Sequence, residues 1–206
     1  MQNSVFGVFL VVILFTLGVF ILAGFGIQAM TVVEITPGVF GARMETYSNS
    51  DTGISVRYPD DFSVDAEYVY DGLGKEKRIS GVSFTIPKEK ISGTNLSSDT
   101  TVSVEVIPNT PACSARMFIR DSRNVKPLLD GDTGYSFGTM KDHRVGNIYE
   151  EQVYALVGSS PCIAVRYFIH STNIGNYPSG TVTEFNRKDL LLVFDTVRRS
   201  VSARVK

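Results

Sequence analysis

Cysteine and histidine have the most specific chemistry in this chain, and each occurs twice. The cysteines are Cys113 and Cys162, and the histidines are His143 and His170. Metal sites need such residues clustered at short spacing, and no His, Cys or Glu stands at a repeating helix or hairpin spacing from either histidine. The sequence therefore predicts no metal site and no cofactor, and both histidines are expected to be solvated.

Two segments come near to known motifs without matching them. Residues 158–162, Gly-Ser-Ser-Pro-Cys, lack the Gly-x-Ser-x-Gly pattern, and Pro161 would break the required strand-to-helix turn. Residues 130–134, Asp-Gly-Asp-Thr-Gly, begin like a calcium loop but place Gly134 where a carboxylate or amide is needed. We interpret 130–134 as a plain turn, and we predict no catalytic residue in the chain.

Two residue pairs could suggest catalysis, and strand geometry argues against both. On one predicted strand, Cys162 and His170 share a face but lie about 26 Å apart. Glu150 and Glu151 are neighbours on a strand, so their carboxylates point to opposite faces. We therefore expect these two glutamates to be edge or surface charges.

The two cysteines allow two interpretations. An even count in a translocated domain favours a Cys113–Cys162 disulfide, which persists in an oxidising compartment. The alternative is a pair of buried free thiols, because cysteine packs well as a small apolar residue.

Aromatic and amide side chains concentrate near the end of one predicted strand. They are Tyr167, His170, Asn173, Asn176 and Tyr177. Loops of this composition often recognise partners, so we predict a candidate protein-binding loop here. The alternative is ordinary core aromatic residues followed by a turn.

The rest of the chain is organised around an apolar run at 5–27, which has no charge and no proline. At about 1.5 Å of rise per residue, a helix of this length crosses a bilayer core of about 30 Å. We predict a tail at 1–4, a transmembrane helix at 5–27, a linker at 28–50 and a folded domain at 51–206. A cleaved signal peptide is the alternative, although the tail lacks Lys and Arg and the run is long.

Charge distribution bears on partners and orientation. The formal net charge is −1, and no basic stripe is visible, so nucleic acid is not expected as a partner. Residues 28–42 after the apolar run contain no Lys or Arg, which slightly favours a C-terminal domain outside the cytoplasm. We therefore expect a single-pass membrane protein that contacts the lipid bilayer through 5–27.

Period-two alternation begins after the linker and predicts a run of strands. It covers 54–58, 62–70, 82–86, 102–106, 135–140, 145–157 and 163–170. Residues 88–99 and 123–134 are predicted loops. Thr110 and Pro111 predict a helix over 112–119.

The closing helix has the clearest signals in the folded part. Asn186 can cap it, and the apolar residues Leu190, Phe194, Val197 and Val201 form one stripe. Strands followed by this helix predict an α+β fold in which a mostly antiparallel sheet packs against a C-terminal helix.

Short motifs support a resemblance. The opening at 53–62, Gly-Ile-Ser-Val-Arg-Tyr-Pro-Asp-Asp-Phe, and the helix ending at 198–201 resemble the first strand and closing helix of PsbP-like domains. Residues 162–177 and 185–201 resemble uncharacterised, single-helix-anchored proteins of candidate-phylum bacteria. The resemblance implies a PsbP-like sandwich and an extracytoplasmic accessory role, and it carries over no catalytic residue.

These observations predict a membrane-anchored extracytoplasmic domain with a non-catalytic binding or envelope accessory role. An envelope enzyme, hydrolase-like, is the alternative, and its site would be assembled from residues distant in sequence. A concave pocket with converging polar groups and shifted pKa values would favour the enzyme. A sensor domain is a third hypothesis, which would need a cytoplasmic output.

Overall fold

The computed structural model describes residues 43–74, 76–110 and 112–203. The strands are β1 (Met44–Asn49), β2 (Ile54–Pro59), β3 (Ser63–Asp65), β4 (Val69–Tyr70), β5 (Ile79–Thr85), β6 (Thr101–Ile107), β7 (Lys126–Asp130), β8 (Thr133–Arg144), β9 (Asn147–Leu156), β10 (Cys162–Thr172) and β11 (Ser202–Ala203). The helices are α1 (Lys88–Ile91), α2 (Arg187–Ser200) and two 3-10 turns, Ala115–Met117 and Ile174–Asn176.

The predicted tail at 1–4 and transmembrane helix at 5–27 lie outside the described residues. None of the helices in the described part has the length and apolarity needed to cross a bilayer. Part of the predicted linker at 28–50 does lie within it, and there Met44–Asn49 forms β1 against β2.

Two antiparallel sheets build the domain. The larger has eight strands in the order β3-β5-β6-β10-β9-β8-β7, with β4 also pairing with β5. The smaller has three strands in the order β1-β2-β11. A mostly antiparallel sheet with a C-terminal helix packed on it is the fold class that the sequence predicts, and the structure confirms it.

Side-chain alternation gives the large sheet two different faces. On one, the helix face, Val104, Val165 and Tyr167 pack against α2 and β2 in the main core. On the other, the open face, Ala164 and Val153 pack under the segment around the first 3-10 turn. Each face is therefore covered by different parts of the chain, and the open face is covered only in part.

Helix α2 begins and packs as its sequence predicts. The Asn186 side chain accepts hydrogen bonds from the backbone N–H groups of Lys188 and Asp189, which caps the first turn. Leu190, Phe194 and Val197 are all buried in the main core. This stripe fixes the helix on the sheet.

The predicted helix over 112–119 is wrong, because only Ala115–Met117 forms a single 3-10 turn. Thr110 does not cap it. The Ser114 hydroxyl accepts from Arg116 N–H instead. A segment this short nucleates a helix poorly, and here a disulfide at Cys113 also fixes it to the sheet.

The predicted loop at 123–134 contains strand β7, which pairs with β8 at the edge of the sheet. Pro127 obscures this strand in the sequence, since proline cannot donate a ladder hydrogen bond and is tolerated only on edge strands. The predicted turn at 130–134 is shorter in the structure, where only residues 131–132 separate β7 from β8.

The Cys113–Cys162 disulfide is present, with a sequence separation of 49 residues. Of the two interpretations that the sequence leaves open, the structure thus selects the bridge. It ties the first 3-10 segment to the start of β10 on the open face.

Removing the disulfide should destabilise the domain. For a loop of this length, chain entropy gives a loss of up to about 4 kcal/mol in the free energy of unfolding. Urea unfolding of the full chain with and without dithiothreitol measures it. The double variant C113S/C162S is the control, because reductant should leave it unchanged. A wild-type midpoint that does not fall after complete reduction would refute the stabilising role.

Candidate functional site

The candidate site is a concave cleft on the open face with a volume of about 370 Å³. We call it the open-face cleft. This volume lies near the lower end of those found for small-molecule sites. The cleft is lined by Tyr68, Val69, Tyr70, Asp71, Gly72, Asp99, Thr101, Arg120, Met140, Asp142, Arg144, Tyr149, Glu151 and Phe168.

The base of the cleft comes from neighbouring strands in register. Phe168 of β10 lies between Glu151 of β9 and Thr101 of β6. Tyr149 is two residues before Glu151, so it projects from the same face. The ring centroids of Tyr149 and Phe168 lie 6.2 Å apart. Alternation along the three strands thus places aromatic rings and a carboxylate side by side.

The roof of the cleft is the segment at 68–72, held over the sheet by backbone contacts. The Gly81 N–H donates to the Tyr68 carbonyl oxygen at 2.9 Å. A Cβ on Gly81 would lie 2.2 Å from the Val104 carbonyl oxygen, so only glycine permits this close strand approach. On the other side, the Arg120 guanidinium donates to the Gly72 carbonyl oxygen at 2.6 Å.

The segment at 113–120, which contains the first 3-10 turn and ends at Arg120, also depends on a glycine. Gly138 of β8 leaves room for it, since a Cβ there would lie 3.1 Å from Val125 and 3.3 Å from Ala115. The Ser136 hydroxyl accepts from the Ala115 N–H at 3.1 Å. The segment can therefore lie flat on the sheet and bring its far end to the roof.

Beneath the cleft, a fully buried arginine is paired with two glutamates. Arg166 Nε donates to Glu105 Oε1 at 2.6 Å, and its Nη2 donates to Glu105 Oε2 at 2.8 Å. Its Nη1 donates to Glu151 Oε2 at 2.5 Å. The Phe118 carbonyl oxygen accepts a further bond from Nη2 at 2.5 Å. Two carboxylates around one guanidinium leave this cluster with a formal charge of −1.

Tyr70 connects the roof to this cluster. Its hydroxyl donates to the Glu151 carboxylate, with oxygen distances of 3.0 and 3.1 Å. The Arg166 guanidinium carbon lies 3.4 Å from the centroid of the Tyr70 ring, in a cation–π contact. The roof and the base of the cleft are thus joined through buried hydrogen-bonded groups.

Burial and ion pairing keep the two phenols and the guanidinium in one protonation state at neutral pH. Burial raises the pKa of Tyr70 and of Tyr68 above the usual value for a phenol. Burial alone would lower the pKa of Arg166, but the Glu105 carboxylate raises it above its usual value. The phenols therefore remain protonated and the guanidinium remains charged. General acid–base catalysis needs a pKa near the working pH, and these shifts run the other way.

Charged pairs form the rim. Arg144 donates to Asp142 from Nε at 2.7 Å, which lowers the pKa of the Asp142 carboxyl. His170 Nδ1 lies 2.8 Å from Asp99 Oδ1, and its ring stacks on Tyr149 with centroids 4.3 Å apart. The histidine thereby supports one wall of the cleft.

The predicted partner-binding loop divides between core and surface. Tyr167 is fully buried on the helix face, so it is a core residue and not part of a binding surface. Asn176 donates to the Gly146 carbonyl oxygen, which secures the tip of the β8–β9 hairpin. As a protein-binding surface, His170, Asn173, Asn176 and Tyr177 stay a prediction.

Sequence reasoning missed the buried charged residues at the base of the cleft. Glu150 and Glu151 do lie on opposite faces, but Glu151 is only 6% exposed and is not a surface charge. The signal lay in its partners instead, because Glu105 and Arg166 are charged residues that each stand between apolar neighbours in a strand. Within residues 43–203, the described part contains no group of three His, Cys, Asp or Glu that could hold a metal.

Comparisons with known proteins give a likeness in structure only. No family model and no curated protein sequence matches the chain. It is similar to the solution structure of the cyanobacterial PsbP protein CyanoP from Synechocystis sp. PCC 6803, at 14% identity and a TM-score of 0.43. That match covers 84% of this chain and 99% of CyanoP. PsbP is also the family that the sequence motifs resemble.

A second similar structure is a crystal structure at 1.50 Å of a protein from Bacteroides thetaiotaomicron VPI-5482. The identity is 11%, the TM-score is 0.45, and the match covers 79% of this chain. This chain spans about half the length of that protein, 49%. Likenesses at these TM-scores carry no argument about activity or ligand. The resemblance to proteins of candidate-phylum bacteria stays a prediction.

Arg166→Met should destabilise the domain far more than Glu151→Gln. Removing the arginine leaves two buried carboxylates without their cation, which costs about 3–5 kcal/mol in the free energy of unfolding. In Glu151→Gln, the new amide oxygen still accepts a hydrogen bond from Arg166, and Arg166 keeps its pair with Glu105. The loss in the free energy of unfolding is therefore smaller for this variant. Urea unfolding of both variants checks this order. Equal losses would show that the arginine is not the centre of the cluster.

Proposed function

We propose that this chain is a membrane-anchored extracytoplasmic domain that binds a small molecule in the open-face cleft without transforming it. The observation that carries the proposal is the cleft itself. It is a concave space of about 370 Å³ lined by Tyr68, Tyr70, Tyr149 and Phe168. Aromatic lining with a few polar groups at fixed positions is typical of ligand sites.

The pairing of the polar groups favours binding over catalysis. Tyr70 and Arg166 are engaged with buried carboxylates, and their pKa values are raised away from neutrality. Groups held in one protonation state can orient a ligand but exchange protons poorly with it. The cleft therefore suits recognition.

The compartment and the anchor are supported by separate observations. The Cys113–Cys162 disulfide is the kind of bond that persists in oxidising compartments outside the cytoplasm. The apolar run at 5–27 has the length and composition of a transmembrane helix. Together they support a domain held at the outer side of a membrane, with the bilayer as its first partner.

An envelope enzyme is the second candidate. It is favoured by one observation, the convergence of Glu151 and Tyr70 at one point of a concave cleft. The two functions separate by the fate of the ligand, since a binding domain returns it chemically unchanged after prolonged incubation.

The cleft should bind small aromatic fragments. Saturation-transfer difference NMR on the full chain in lipid nanodiscs measures this with a fragment library. Phe168→Ala should abolish the binding of most hits, because it removes a ring from the base. Phe137→Ala is the matched control, since Phe137 is a half-buried ring packed against the helix-face core. Hits that respond equally to both variants would place binding elsewhere.

Alkylation of the cysteines tests the compartment. In protein taken from its native membrane and unfolded, both thiols should react with a mass-tagged maleimide only after reduction, because the bridge is intact there. The full chain should sediment with membranes after an alkaline wash, and a variant lacking 1–27 should not. Reaction without reductant, or release of the full chain by the wash, would contradict the proposal.

A further inference from the structure

The geometry points to a small organic ammonium compound as the ligand of the open-face cleft, an inference that rests on the proposed function. By this we mean a protonated amine carried on an apolar or aromatic body. Three features carry it: the charge that lines the cleft, the buried carboxylate at its floor, and the rings beside that carboxylate.

The ionisable groups that line the cleft are in acidic excess. The carboxylates are Asp71, Asp99, Asp142 and Glu151, and the guanidinium groups are Arg120 and Arg144. Four carboxylates against two guanidinium groups give a formal charge of −2. Arg144 and Asp142 pair with each other, which leaves three carboxylates against Arg120, and Arg120 is bonded to a backbone carbonyl. An anionic ligand would therefore meet repulsion, and a cation would meet attraction.

Glu151 supplies the specific contact. The residue is only 6% exposed, yet it lines the cleft. A carboxylate has about four acceptor positions. Tyr70 and Arg166 are the described donors to it. Capacity remains on Oε1 for an N–H donor arriving from the cleft. Because the Arg166 cluster already carries an extra negative charge, a cationic donor is favoured over a neutral one.

The rings complete the match. Cations are stabilised within about 6 Å of an aromatic centroid, and the same rings cover the apolar body of the ligand. One face of Tyr70 is already taken by Arg166, and Tyr149 stacks on His170. Phe168, Tyr68 and the remaining surface of Tyr149 are then the rings for the ligand. The volume of about 370 Å³ suits a small molecule and not an extended peptide.

Three probes of one shape test the charge preference. They are benzylammonium, benzyl alcohol and benzoate, titrated against the full chain in nanodiscs by saturation-transfer difference NMR. Benzylammonium should bind about tenfold more tightly than benzyl alcohol, the value of one charge-assisted hydrogen bond. Benzoate should not bind. Nα-acetyl-lysinamide is a fourth probe, and it should bind more weakly than benzylammonium.

Two adjacent glutamates provide matched variants. Glu151→Gln should weaken benzylammonium about tenfold and leave benzyl alcohol nearly unchanged. Glu150→Gln makes the same chemical change one residue away on the helix face, where Glu150 pairs with Arg187, and should change neither affinity. Thermal unfolding of both variants checks that they fold. If one variant does not fold, the three probes on the wild-type chain still decide whether the cleft prefers an ammonium ligand.

The outcomes separate the inference from the proposed function. If benzyl alcohol or benzoate binds as tightly as benzylammonium, the ammonium inference is overturned while the cleft stands as a binding site. If the lysine derivative binds tenfold more tightly, the cleft takes a basic residue of a protein, and the small-molecule assignment is overturned. If no probe binds, the inference fails, and the fragment screen with Phe168→Ala then decides whether the cleft binds anything.

Discussion

A buried guanidinium is the constraint on which the open face depends. Arg166 lies on β10, and its bonds reach β6, β9 and the carbonyl of Phe118, while its plane lies against Tyr70. Burying a charge costs several kcal/mol unless its partners satisfy it, so each of these groups must take its place for the others to be stable. The same cluster therefore positions the floor, the roof and the segment that joins them, and it leaves one negative charge at the base of the cleft.

Local signals were sufficient for much of this architecture. Helix α2 has its cap and its apolar stripe within sixteen residues, so its bounds and its buried side follow from propensity and period alone. The central strands follow from alternation in the same way. Two of the places where prediction failed, 112–119 and β7, are short segments whose state is set by the sheet beside them. Their own sequences are compatible with more than one structure, and tertiary contacts select between them.

The cleft lay beyond sequence reasoning for a related reason. Tyr70 and Glu151 are 81 residues apart, and Arg166 and Glu105 are 61 residues apart. Alternation shows that Glu151 and Tyr149 share a face, but it does not show whether that face is open or covered. The roof decides this, and the backbone bond from Gly81 to Tyr68 that helps to hold it is one that no periodic pattern displays. Glu105 and Arg166, charged residues between apolar neighbours, were the available signal, and the error was to assign Glu151 to the surface.

The disulfide has a mechanical consequence. Cys113 and Cys162 enclose β7, β8 and β9, together with the turns between them. If one end of the domain is held and the other is pulled, the tension passes from Cys113 to Cys162 through the bond and bypasses the enclosed chain. The 49 residues of separation correspond to about 170 Å of contour length that pulling cannot release. Three strands on one side of the cleft are then spared the direct load that extends the rest of the chain.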